Sequence, residues 1–427
     1  MEEQTATTDG RTRQAVAQSV DLAYRTYLSK EGGFLCPATP IETLPRVFER
    51  FESAAGALPA LLAASGAGAR AELEHRFQRV HAESLSAIQD LSEVELYKLM
   101  TVMCYLGHAY RWDTIPPRRV ERERRVLALP QGIEQPWQEV AARLDLPCAS
   151  GFWSSFCYDW RLEGRSGGEA YENRELTLGS MSFSHRWLKP PYAEHAERFF
   201  LAFVLTEARG APVAQDIVAA ISAAADGREE ELTRCLTRLR GHLGDLSREL
   251  SSIMRRSVVR VDIWMEYIQP FFGWGLETSG GNVLHGASGM QAATFEALNV
   301  AFGIKGESRI ARATKESRRY MPIFQRRFLA ALDVAGPLLH DFVLDSQSQE
   351  LKRAFNECLD CLVRWRVGHQ TRGAMYLRGE LAAGEFVAAS STGGLIGPGV
   401  QQACDYSSQM QERIDETLRA KVPTKDS

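Results

Sequence analysis

The 427-residue chain lacks most of the features that narrow a function at first sight. Apolar runs are short: one of the longest, Phe199–Leu205, falls far below the ~20 residues a bilayer-spanning helix needs. The opening stretch, Met1 to Gln14, is polar and charged and does not read as a signal peptide. No excess of one charge is present; the formal net charge of -4 gives no footprint for nucleic acid or an anionic membrane. The eight cysteines, at 36, 104, 148, 157, 235, 358, 361 and 404, are scattered, which argues against a disulfide framework and for reduced thiols in a cytoplasmic protein. No convincing set of alternating strands and no repeat at fixed period can be found. Cys358-x-x-Cys361 has no second pair, so core packing is the better reading than zinc or redox chemistry. His81-Ala82-Glu83 and His195-Ala196-Glu197 echo a zinc-deaminase motif, but the required Pro-Cys-x-x-Cys is absent.

What the chain has in quantity is helical periodicity. Residues 229–256 put Leu232, Cys235, Leu239, Leu243, Leu246, Leu250 and Met254 on one stripe, and residues 83–107 do the same with Leu85 through Leu106. Ile115-Pro116-Pro117 and Lys189-Pro190-Pro191 break the pattern, with a polar, glycine-bearing loop expected over Arg161–Ser184. These breaks predict an all-α protein with a small N-terminal domain over 1–190 and a larger one over 191–427. Glycine-rich segments at Thr278–Ser288 and Ser390–Gly399 are long enough to be functional loops. Arg118, Arg119, Arg122, Arg124 and Arg125, interleaved with Glu121 and Glu123, read as a solvated face.

The helix expected over 348–377 carries the most specific chemistry. Leu351, Phe355, Cys358, Leu362, Trp365, His369, Gly373 and Tyr376 share a face, so His369 is the polar member of an apolar stripe. Gly368 and Gly373 beside it leave room for a flat, bulky group, and Arg366 and Arg372 flank it. Histidine offers a neutral nitrogen to iron and arginine suits carboxylates. Taken alone, the pattern also admits a core histidine bonded to a neighbouring helix, the commoner case.

The wider sequence resembles the indoleamine 2,3-dioxygenase family. The likeness runs through Glu31-Gly32-Gly33-Phe34-Leu35-Cys36-Pro37, Tyr158-Asp159-Trp160, Tyr171-Glu172-Asn173, Phe199-Phe200-Leu201 and Gly286-Ala287-Ser288-Gly289-Met290-Gln291. It continues in Arg318-Arg319-Tyr320-Met321-Pro322, Arg366-Val367-Gly368-His369 and Ser391-Thr392-Gly393-Gly394. Order and spacing make the set specific where each piece is weak. The resemblance implies a two-domain helical fold with haem b between the domains, His369 as axial iron ligand and Arg366 paired with a haem propionate. It puts Ser288 and Gly289 near the distal face, Phe152, Phe199 and Phe203 along the substrate pocket, and Thr392 and Gly393 in a lid. The implied reaction inserts both atoms of dioxygen across the C2=C3 bond of an indole; the partners are then a small aromatic substrate and O2, in a monomer or small homo-oligomer.

Two departures bear on the substrate. Ile268-Gln269-Pro270-Phe271-Phe272-Gly273-Trp274 places Gln269 where the family has a carboxylate-binding arginine, and a neutral amide cannot reproduce that charge-assisted grip. Phe203 stands where the family has a small hydroxyl residue. Both changes point away from free tryptophan and toward an indole or other aromatic without a free carboxylate, unless Arg260 or Arg256 substitutes for the missing cation. Other oxidations or ring rearrangements, as in the related pyrrolnitrin-biosynthesis enzyme, and a non-catalytic haem sensor are the alternative readings.

Overall fold

The computed structural model describes residues 2–63, 68–117, 128–272, 276–277, 283–284, 286–383 and 400–425, with backbone alone at 2–10, 276–277, 283–284, 377–383 and 400–405. The chain is all-α. Its principal helices are α1 (Glu2–Tyr27), α2 (Glu93–Trp112), α3 (Tyr192–Ala225), α4 (Glu229–Ile253), α5 (Ala293–Ala301), α6 (Ile323–Asp345), α7 (Gln349–Ala383) and α8 (Val400–Arg419). The expected loop over Arg161–Ser184 is pinned by a short antiparallel pair, β1 (Trp160–Leu162) and β2 (Met181–Phe183), with Trp160 opposite Phe183. A second pair joins β3 (Leu276–Glu277) to β4 (Val283–Leu284).

Helix α2 begins at a capping arrangement in which the Ser92 backbone N–H donates to the Glu95 carboxylate at 2.8 Å. It ends at Asp113, whose φ of 65° stops the helix just before the paired prolines. From Leu96 to Trp112 every side chain is buried, the mark of a helix enclosed on all sides. Helix α4 instead buries one stripe, Leu232 through Leu250, against α3 and α7.

Two hydrophobic cores result, and they interleave along the chain. One gathers residues from Leu35 to Ala208 and from Leu246 to Ala292. The other gathers Ala17 to Phe34, Val213 to Leu243, Ala293 to Ile304 and Met321 to Leu362. Helix α3 serves both, giving Phe200–Ala208 to the first and Val213–Ala224 to the second. Helix α1 packs on α6 and α3, so the N-terminal residues join the core made mainly by the C-terminal half.

Cys358 and Cys361 lie at the α4–α7 contact, where their thiols meet the carbonyl oxygens of Leu236 (3.2 Å) and Arg240 (3.9 Å). The cysteines described are all free, and no cluster of metal-ligating side chains occurs among the described residues. His81 caps a short helix by accepting from the Ser84 backbone N–H, and His195 Nδ1 sits 3.0 Å from the Val258 carbonyl oxygen. The arginine run at 118–125 lies outside the described residues.

Candidate active site

Two π-helical turns shape an apolar cavity in the first core. One spans Trp153–Cys157 and the other Trp264–Ile268. Such widened turns recur at functional sites, because the extra residue pushes a side chain out of helical register. The second has a local cause: Pro270 has no N–H to close an α-helical bond on Glu266. The space not filled by atoms among its lining residues is about 330 Å³ with open solvent included, so the enclosed void is only a small part of it.

Phe156 enters from the first turn, Trp264 and Ile268 from the second, and Gln269 from the residue that follows it. Helix α3 contributes Phe199, Phe200 and Phe203, and the opposite wall is Ala287, Ser288 and Gly289. The rings hold each other edge-on or stacked: Phe156 stacks on Phe200 at 4.0 Å, and Phe199 meets Phe203 edge-to-face at 5.1 Å. Rings that brace each other at these distances give the cavity a stiff aromatic wall. Phe152 is one layer back, edge-on to Phe203 at 5.1 Å, and supports the wall instead of forming it.

Gln269 and the Trp264 indole N–H are the polar groups on the aromatic side, and Gln269 is the amide among them. It is only 4% exposed, and its Oε1 has no hydrogen-bond partner among the described residues. A buried amide oxygen left unpaired costs about 1–3 kcal/mol, so its retention calls for a ligand or a water. Neither Arg260 nor Arg256 compensates: Arg260 is exposed and paired with Asp262 at 2.5 Å, and Arg256 is exposed beside Met375. The facing wall is held by Gln291, whose Oε1 accepts from the Phe152 backbone N–H (2.6 Å) and whose Nε2 donates to the Gly286 carbonyl (3.2 Å). Ser288 Oγ accepts from the Met290 N–H at 3.3 Å, and a Cβ added to Gly289 would meet nothing within 4 Å.

Behind this wall, the buried Glu207 carboxylate grips the N-terminus of α5, accepting from Thr294 N (3.1 Å) and Thr294 Oγ1 (2.8 Å). Burial raises its pKa to about 7 against the opposing pull of those bonds.

His369 lies on α7, half-buried, with the Trp365 ring at 5.5 Å. Tyr376 is two turns further along the same face and meets Trp264 at 5.4 Å. His369 is therefore roughly 10 Å along the helix from the cavity wall, at 1.5 Å per residue. Its Nδ1 is 2.7 Å from the Tyr406 hydroxyl on α8, while Nε2 has no hydrogen-bond partner among the described residues. Burial, helped by Arg372, lowers the imidazole pKa to about 4, so the ring is neutral at physiological pH, the form that ligates metals.

Arg366 does not join His369. Its guanidinium is buried against α8 and α5, donating to the Arg413 carbonyl (3.0 Å), to Asn299 Oδ1 (2.6 Å) and to Thr417 Oγ1. Three of its five N–H donors are taken up in this way, so it ties α7 to α8 and α5 in this structure. Thr392, Gly393 and Trp274 lie outside the described residues.

Tyr406, Phe156, Phe200, Trp264 and Phe272, which also lines the cavity, carried no functional assignment in the sequence. Tyr406 had a usable signal: with Met410, Arg413 and Thr417 it follows the three-and-four spacing of an inward helix face.

The sequence model described as indoleamine 2,3-dioxygenase matches residues 23–380. Among curated proteins, the chain is 27% identical to rat indoleamine 2,3-dioxygenase 1 over 361 residues, covering 80% of this chain and 81% of the relative. It is 25% identical to human indoleamine 2,3-dioxygenase 2, covering 86% of each chain. It is 23% identical to a 6-hydroxytryptophan 2,3-dioxygenase of Fusarium equiseti, covering 82% of this chain and 84% of the relative. With the family model matched over most of its length, the chain belongs to the indoleamine 2,3-dioxygenase family and is an enzyme of the haem-dependent dioxygenase type.

Proposed function

We propose that the protein binds haem b through His369 Nε2 and dioxygenates a neutral, indole-like aromatic substrate held in the aromatic cavity. The side chains that would hold the cofactor are a neutral imidazole with Nδ1 occupied and Nε2 without a hydrogen-bond partner among the described residues, flanked by Trp365, whose ring stacks on Phe295. When bound, the haem supplies the dioxygen chemistry. The protein's share is orientation and exclusion of water. Phe199, Phe203 and Trp264 would offer an aromatic wall to a planar ring, and Ser288 and Gly289 also line the cavity. No proton-transfer histidine lines the cavity among the described residues, which suits a reaction run by the cofactor.

The observation that carries the substrate class is Gln269. A carboxylate brought into this cavity would have to shed its hydration in exchange for an amide, an unfavourable trade without a cation. A substrate without that charge, offering one hydrogen-bonding group to the amide, loses much less. The free amino acid discriminated against here is the natural comparison, since one relative takes a hydroxylated tryptophan by name.

The test is a screen on the reduced, haem-loaded protein under ¹⁸O-labelled dioxygen, with indole, 3-methylindole, tryptamine and L-tryptophan as substrates. The expected outcome is labelled product from the carboxylate-free indoles, with kcat/KM at least tenfold above that for L-tryptophan. Efficient labelled formylkynurenine from L-tryptophan would overturn the substrate reading, and a purified protein without a Soret band would overturn the haem reading.

A further inference from the structure

We infer that Tyr406 is the positioning residue that fixes the tautomer and direction of His369, a reading that rests on His369 being the iron ligand. The assignment follows from a count of donors. The Tyr406 Oη is 3.1 Å from the His369 backbone carbonyl oxygen and 2.7 Å from His369 Nδ1. A carbonyl only accepts, so when the single hydroxyl proton goes to it the hydroxyl oxygen meets Nδ1 as an acceptor and Nδ1 carries the ring proton, the arrangement that satisfies both contacts. In the neutral imidazole this leaves the lone pair on Nε2, which has no hydrogen-bond partner among the described residues.

The seat of the tyrosine is built into both helices. A Cβ at Gly373 would fall 2.4 Å from Oη and 2.5 Å from Cζ, so only glycine one turn beyond His369 admits the ring. Gln370 Nε2 donates to the Ser407 carbonyl at 2.7 Å, locking the register of α7 and α8 on either side of the pair. Trp365 bounds the imidazole from the preceding turn. The ring is thus held at Nδ1, at its flank and through its own backbone, with one nitrogen presented. A hydrogen bond from Nδ1–H also makes the imidazole a stronger donor to a metal.

Three measurements on the full-length chain test this. In haem-free protein, ¹⁵N NMR of His369 is expected to report the Nδ1–H tautomer; an Nε2–H tautomer overturns the proposal without any variant. In the reduced, haem-loaded protein, Tyr406→Phe is expected to lower the iron–histidine stretching frequency in resonance Raman spectra. The same variant is expected to weaken haem affinity about tenfold. Frequency and affinity both equal to wild type would remove Tyr406 from the role while leaving His369 in place. Haem retained unchanged by His369→Ala would instead overturn the ligand assignment, and the role of Tyr406 with it.

Discussion

The two cores of this molecule are built from different materials. In the second core every buried aromatic is a phenylalanine (Phe34, Phe302, Phe328 and Phe355), set among leucine, alanine and valine. The first core holds buried tryptophan and tyrosine throughout, including Trp153, Trp160, Trp187, Tyr105 and Tyr158. Aliphatic side chains on helix stripes interdigitate to high density and leave no room. Planar rings locked edge-to-face keep their separation, and the cavity lies among them. The second core thus serves cohesion, while the aromatic part of the first also shapes a cavity. His369 and Tyr406 lie on the α7–α8 pair, which continues from the dense half toward the open one.

The contrast breaks most completely at His369. Replacing it with alanine removes the nitrogen proposed to hold the iron, at a residue outside both cores. Expected are loss of the Soret band and little change in far-UV circular dichroism. A cooperative loss of structure would mean that the imidazole belongs to the packing.

The next largest effect separates the cores directly. Leu239 is fully buried in the second core, and Leu239→Ala is expected to cost about 2–5 kcal/mol in chemical denaturation, with KM per folded molecule unchanged. Phe203 is half-buried on the cavity wall, so Phe203→Ala is expected to cost less stability but to shift KM and admit larger rings. The reverse pattern, with KM moved by Leu239→Ala alone, would erase the division of labour.

This division was partly legible in the sequence. The α4 stripe follows from spacing, because helical burial has a fixed period, whereas the stripe read over 83–107 missed the break before Glu93 and the burial of α2 on every side. His369 was legible as the polar member of a stripe, and Gln269 as a neutral amide in an aromatic segment. The cavity was not. Phe199 and Phe200 are adjacent, and only the packing shows that both rings reach it while Phe152 stops one layer short. Tyr406 meets His369 across 37 residues of chain, and Arg366 is met by Arg413 and Thr417 on α8 and by Asn299 on α5. Contacts of that range leave no local pattern. The interleaved cores likewise escape any reading that divides the chain at its prolines.

A smaller, pH-dependent effect tests how the wall of the cavity is tied to α3. The folded-state pKa of Glu207, about 7, is above the ordinary 4.5. Its contribution is complete below the unfolded value and is lost as pH rises through 7. The ceiling is about 3 kcal/mol at 1.36 kcal/mol per unit. Wild-type stability is therefore expected to fall between pH 5 and pH 8 relative to Glu207→Gln, which cannot ionise. Parallel stability–pH curves for the two proteins would show that the carboxyl is not held neutral.

The smallest expected effect is the most telling, because stability and function should move in opposite directions. Gln269 keeps an amide oxygen buried and unpaired in the face of its cost. If that oxygen exists for packing, Gln269→Leu removes a useful polar group and the protein weakens. If it exists for the substrate, the same change relieves an unsatisfied acceptor and denaturation should show a gain of about 1 kcal/mol. The kcat/KM for a carboxylate-free indole should then fall about tenfold, the worth of one hydrogen bond to the bound substrate. A loss of stability with kcat/KM unchanged would assign the amide to the fold and leave the cavity purely aromatic in its recognition. A gain in one with a loss in the other is what a residue retained for its ligand has to show.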